Sequence, residues 1–118
     1  GHSKCGAVKG ACDHVEMGNL TELLSKIQPA VYQEKNTQND RNSGNSSFVE
    51  NVAAINVKRS VKNIIERSFI LEQMVEKGEI GVIGAMHNIE TGKVEFYEDV
   101  QFIRDEENPT FSVADLRH

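Results

Sequence analysis

Histidine and cysteine are the residue types best suited to hold a borderline-soft metal, and this chain gathers His2, Cys5, Cys12 and His14 at one end, with His87 far along. A His-x-x-Cys spacing brings an imidazole and a thiolate to one ion when a turn lies between them, and "GHSKCGAVKGACD" opens with that spacing at His2 and Cys5. Cys5 also stands at the mouth of an apparent helix, where free amides and the positive end of the dipole favour a thiolate. Cys12 does not extend the set. Seven helical residues at about 1.5 Å each separate the sulfurs by roughly 10 Å, whereas zinc holds each at about 2.3 Å. Cys12 therefore reads as a small buried residue, His14 as a surface or capping residue and His87 as a strand residue. Spacing alone leaves His2 and Cys5 open between half of a metal site and a frayed terminus, and favours the second.

Placing these residues is the task of a small domain. At 118 residues, 38% of them hydrophobic and none tryptophan, the chain has material for one modest core. The net charge of -5 argues against a nucleic-acid binder, which needs a clustered basic face. Lys58, Arg59 and Lys62 lie close together, but neighbouring acids make them a solvated helix face. No apolar run is long enough to span a membrane and no leader is visible, so the chain reads as soluble, and two cysteines fit a reducing compartment such as the cytoplasm.

The small residues between Cys5 and Cys12 predict a short, closely packed helix. Asn19 and Glu22 form a capping pattern ahead of Leu20, Leu23, Leu24 and Ile27, and Pro29 interrupts this helix or restarts it in a first turn. The stretch "NTQNDRNSGNSS", residues 36 to 47, is an exposed loop whose composition permits local disorder. Ser47 and Glu50 form a second capping box, and Val49, Val52, Ala53, Val57, Val61, Ile64 and Ile65 predict one long amphipathic helix to about Arg67. Ser68 caps another helix, which carries Ile70, Leu71, Met74 and Val75 and stops at Gly78. The period then changes. "EIGVIGAMH", the turn-like "NIETG" and the stretch from Lys93 to Tyr97 read as two antiparallel strands, and the last twenty residues as a charged tail or arm.

"GHSKCGAVKGA" resembles the second zinc motif of the beta-class carbonic anhydrases, where a strand ends in Gly-His-x-x-Cys-Gly and leads into a helix. "NLTELLSKIQPAV", "NVAAINVKRSVKNIIERSFILEQMVEKGEI" and "GVIGAMHNIETGKVEF" resemble, in the same order, the helices and closing strands of that family, especially its bacterial members. The resemblance covers most of residues 1 to 98 and implies an α/β fold, here its C-terminal part, mostly helical with two closing strands. Residues 99–118 are left as the tail.

The resemblance implies zinc as cofactor, His2 and Cys5 as two of three protein ligands, and the backbone amide of Gly6 as a contact for carbon dioxide or bicarbonate. The activity implied is reversible hydration of carbon dioxide, which relies on zinc lowering the pKa of its water to about 7. The remaining ligand belongs, in the family, to an upstream Cys-x-Asp-x-Arg motif, and this sequence contains none. No catalytic aspartate and arginine pair is therefore identifiable. The resemblance further implies an incomplete subunit, inactive alone, and a homodimer or higher homo-oligomer. A catalytically dead oligomerisation module derived from the same family is the alternative. His87 stands where the family commonly has tyrosine.

Overall fold

The computed structural model describes residues 1–103. Five helices precede two strands: α1 Gly6–Cys12, α2 Gly18–Ser25, α3 Gln28–Gln33, α4 Ser46–Arg67, α5 Phe69–Glu76, β1 Val82–His87 and β2 Val94–Phe102. The longest apolar period becomes the longest element. One face of α4 turns Val49, Val52, Ala53, Val61 and Ile65 inward, while Ile64, at the margin of that stripe, stays 42% exposed. Against the first half of α4 pack Val8, Ala11 and Cys12 of α1, Leu24 of α2 and Val31 of α3, forming the main core. A smaller cluster of Val61, Ile65, Val75 and Phe102 closes the far end.

Caps decide where several helices begin. The side chain of Asn45 accepts the amide of Phe48 at 3.3 Å, so α4 is capped there and not by the expected Ser47 box. Helix α2 likewise starts one residue ahead of Asn19, behind Met17, whose amide donates to Thr21 Oγ1 at 2.7 Å; Gly18 makes the turn at φ +49. Pro29 sits in the first turn of α3, as its missing donor requires. Ser68 caps α5 through the amide of Leu71, and Gly78 follows it at φ +76.

The polar stretch after α3 is organised by one arginine. Arg41 donates to the carbonyls of Val31 at 2.8 Å and of Glu34 and Thr37 at 2.9 Å, with its guanidinium 4.6 Å from the Phe48 ring centroid. Glu34 is buried beside it. Burial alone would raise that carboxyl, but bonds from the Thr37 hydroxyl and the Thr37 and Asn36 amides, with the nearby Arg41 charge, hold it below the ordinary range.

The two strands pair antiparallel, from His87 opposite Val94 to Gly84 opposite Tyr97, then shift register so that Ile83 faces Gln101. That irregularity carries β2 on to Phe102, which is 1% exposed. The domain boundary expected at residue 98 therefore falls inside a strand whose end belongs to the core; the rest of the expected tail, 104–118, lies outside the described residues. Helix α4 crosses β1 at Gly84, where a Cβ would come within 2.8 Å of Val57 Cγ1 and 3.1 Å of Val61 Cγ2. Only glycine lets helix and strand approach so closely.

Candidate metal centre

Residues 1–5 enter helix α1 along the free edge of β1. His2 and His87 form a parallel bridge in which the His87 amide donates to the Gly1 carbonyl and the Ser3 amide to the His87 carbonyl, both at 2.9 Å. Lys4 then takes φ +55, a left-handed turn residue, and Cys5 returns to an extended conformation as the N-cap of α1. The turn required between the histidine and the cysteine is therefore present.

His2 is exposed and its Nδ1 lies 3.0 Å from the Ser3 carbonyl oxygen. A carbonyl only accepts, so this bond places a hydrogen on Nδ1, and in the neutral ring the lone pair is then on Nε2, the arrangement a ligating imidazole needs. Cys5 is half-buried, a free thiol with no side-chain capping bond. It lines a cavity of about 690 Å³ whose wall also includes Ser3, Glu50, Met86, Lys93 and Tyr97. Gly6, the first residue of α1, is exposed, and a Cβ there would meet nothing within 4 Å. Neither crowding nor a positive φ makes glycine necessary at this position.

The other sequence candidates add no side-chain donor that completes a metal-holding group with this pair. Cys12 is 1% exposed, and burial, with the Asp13 charge beside it, pushes its thiol up to about 11. A thiol held protonated is a poor ligand. His14 ends the first helical segment in a left-handed conformation at φ +54, exposed, its ring centroid 6.5 Å from that of Tyr32. His87 is the exposed last residue of β1 and joins the site through its backbone alone. Among the described residues no group of three or more His, Cys, Asp or Glu side chains is arranged to hold a metal. His2 and Cys5 are the donors of suitable chemistry on this segment, and a tetrahedral zinc takes four.

Sequence reasoning missed the polar supports of this segment. Ser3 Oγ accepts the Ile89 amide at 2.9 Å, and the Lys4 ammonium meets the Glu90 carboxylate. Their partners lie 86 positions away, so no local pattern announces them. Lys58, expected on a solvated face, donates to Asp99 at 2.8 Å and lies 5.0 Å from the Tyr97 ring centroid. No helix among the described residues is long and apolar enough to cross a membrane.

Helices stacked on a strand pair define a mixed α/β protein, with a histidine and a cysteine on the turn into its first helix. The family model described as carbonic anhydrase matches residues 1–94, from the His2–Cys5 segment into the first residue of β2. The chain belongs to the beta-class carbonic anhydrase family, a family of generally zinc-dependent lyases. No curated protein and no solved structure matches it.

Proposed function

We propose that this chain is part of a zinc-dependent carbonic anhydrase that interconverts carbon dioxide and bicarbonate with release or uptake of a proton. The observation that carries the reading is that a carbonic anhydrase family match includes a His-turn-Cys segment whose imidazole has Nδ1 already engaged. His2 Nε2 and Cys5 Sγ would hold the ion. Bound zinc supplies Lewis acidity and an acidic water at neutral pH. The chain's own part would be to present the two donors on the turn into α1, Cys5 on the cavity wall, and at Gly6 an exposed backbone amide on a residue that has no side chain of its own.

Two donors do not complete a catalytic zinc, and Cys12 is buried, so hydration activity requires a further protein ligand from outside the described residues. A homo-oligomer is part of the proposal. Ile89, Val94 and Phe96, each at least half exposed on the hairpin, are apolar surface that a second subunit would cover. We place the protein in the cytoplasm, where two unpaired cysteines persist. Zinc per chain, measured on purified protein after mild chelation beside a Cys5→Ser variant, tests the assignment. Retained zinc that Cys5→Ser releases, and carbon dioxide hydration on supplying a Cys-x-Asp-x-Arg segment, are the expected results. An active Cys5→Ser protein would sink the site. A stable multimer with neither zinc nor restored activity would favour the second reading, an inactive oligomerisation module, which the absence of a third donor among the described residues supports.

A further inference from the structure

Ser3 lies between the two donors and makes three polar contacts. Its carbonyl oxygen accepts from His2 Nδ1 at 3.0 Å, its amide donates to the His87 carbonyl at 2.9 Å, and its hydroxyl accepts the Ile89 amide at 2.9 Å. The first sets the tautomer of the histidine. The other two fasten the segment to the β1–β2 turn.

That turn has its own internal support. Asn88 Oδ1 accepts the amides of Glu90 and Thr91 at 2.9 and 3.2 Å, its carbonyl accepts Gly92 N–H, and its amide donates to the Lys93 carbonyl, both at 2.8 Å. An asparagine folding the next residues onto its own side chain makes a turn that does not depend on packing. Gly92 completes it at φ +78, open to L side chains only with strain.

We propose that Ser3 is a positioning residue: its hydroxyl locks the self-supported hairpin turn onto the His2–Cys5 segment, so that the two metal donors are ordered before any ion arrives. The inference rests on the zinc reading for its consequence, but the lock itself is a property of the metal-free chain. The Lys4–Glu90 pair is exposed on both sides and adds little to it. The hydroxyl contact replaces water at a single backbone amide and fixes the register between two segments far apart in sequence.

The test compares the parent with Ser3→Ala, Ser3→Thr and Cys5→Ser. Zinc affinity is read by chelator competition, and hydrogen exchange is read at the backbone amides of residues 3 and 87 in the metal-free proteins. Ser3→Ala is expected to weaken zinc by about 10- to 100-fold, the usual cost of losing an outer-shell support, and Ser3→Thr to restore it. Exchange at both amides should rise about tenfold in Ser3→Ala, with far-UV circular dichroism unchanged. If Cys5→Ser lowers zinc affinity while Ser3→Ala does not, the positioning role is overturned and the metal assignment stands. If the parent shows no Cys5-dependent zinc, the metal assignment fails, and the exchange rates alone decide: unchanged protection in Ser3→Ala overturns the lock, and lost protection supports it.

Discussion

The two ends of helix α1 carry the same residue type in opposite settings. Cys5, at the start, is half-buried on the wall of a large cavity, and the segment just before it is fastened to the hairpin by the backbones of Gly1 and Ser3 and by the Ser3 hydroxyl. Cys12, seven positions on, is sealed in the main core, the cluster that also holds Leu24, Phe48 and Val52, its thiol pushed up to about 11 by burial. A single turn of polar contacts thus keeps one cysteine available while packing silences the other. The lesson concerns support as much as reactivity. The Cys12 end should respond to changes in volume, and the Cys5 end to changes in hydrogen bonding.

The largest effect belongs to the packed end. Phe48 is fully buried beneath Arg41, so Phe48→Ala should cost about 3–5 kcal/mol in urea unfolding, from lost transfer energy and the cavity left behind. Phe96, the same residue type on the hairpin, is 58% exposed in the single chain, and Phe96→Ala should shift stability by no more than about 0.5 kcal/mol when measured at protein concentrations low enough to keep the chain monomeric. Equal costs at the two sites would break the contrast.

The next effect is set by pH. A thiol whose folded pKa is raised keeps its proton in the native state while the unfolded chain, near 9.0, has already lost it. The unfolded state then binds fewer protons, so stability is intact below pH 9 and falls between about 9 and 11. At 1.36 kcal/mol for each unit of difference, the loss approaches about 2–3 kcal/mol. Urea midpoints measured from pH 8 to 11 should show this decline in the parent and a flatter profile in Cys12→Ala. A parent profile already as flat as that of Cys12→Ala would mean that the buried thiol is not sealed.

How much of this was legible in the sequence follows the same division. Features fixed by period or by local turn chemistry were readable: the stripe from Val49 to Ile65, the Ser68 cap, the Gly78 stop, the Pro29 restart and the antiparallel hairpin. The boundaries that failed depend on competition between neighbouring caps. Asn45 prevails over Ser47 two residues later, and Thr21 receives the Met17 amide where an Asn19–Glu22 pair was expected. The extension of β2 to Phe102 was hidden because Glu98 and Asp99 interrupt the apolar alternation just where the register shifts. The contacts of Ser3 with His87 and Ile89 arise only when distant segments meet, whereas the Arg41 staple reaches the nearby carbonyls of Val31, Glu34 and Thr37 through a loop path that no local pattern announces. At the site, the residue types and the turn were visible in "GHSKCG", whereas the tautomer of His2 and the support behind it required three-dimensional structure.

The smallest expected effect on stability is the most informative about function. A Cβ at Gly6 would meet no atom within 4 Å, so Gly6→Ala should leave the melting temperature unchanged or raise it, by less than about 1 kcal/mol in stability, through reduced backbone entropy in the unfolded chain. At Gly10, nearer the packed end, the same methyl would lie 3.2 Å from Leu24 Cδ1, and Leu24 is 2% exposed and has little room to give. Gly10→Ala should therefore be the more destabilising of the two. If instead Gly6→Ala costs as much as Gly10→Ala, the first turn of α1 is packed rather than open and the contrast between the helix ends is lost. If Gly6→Ala is thermally silent but lowers carbon dioxide hydration in the zinc-loaded assembly, the glycine is kept for what approaches it and not for the fold.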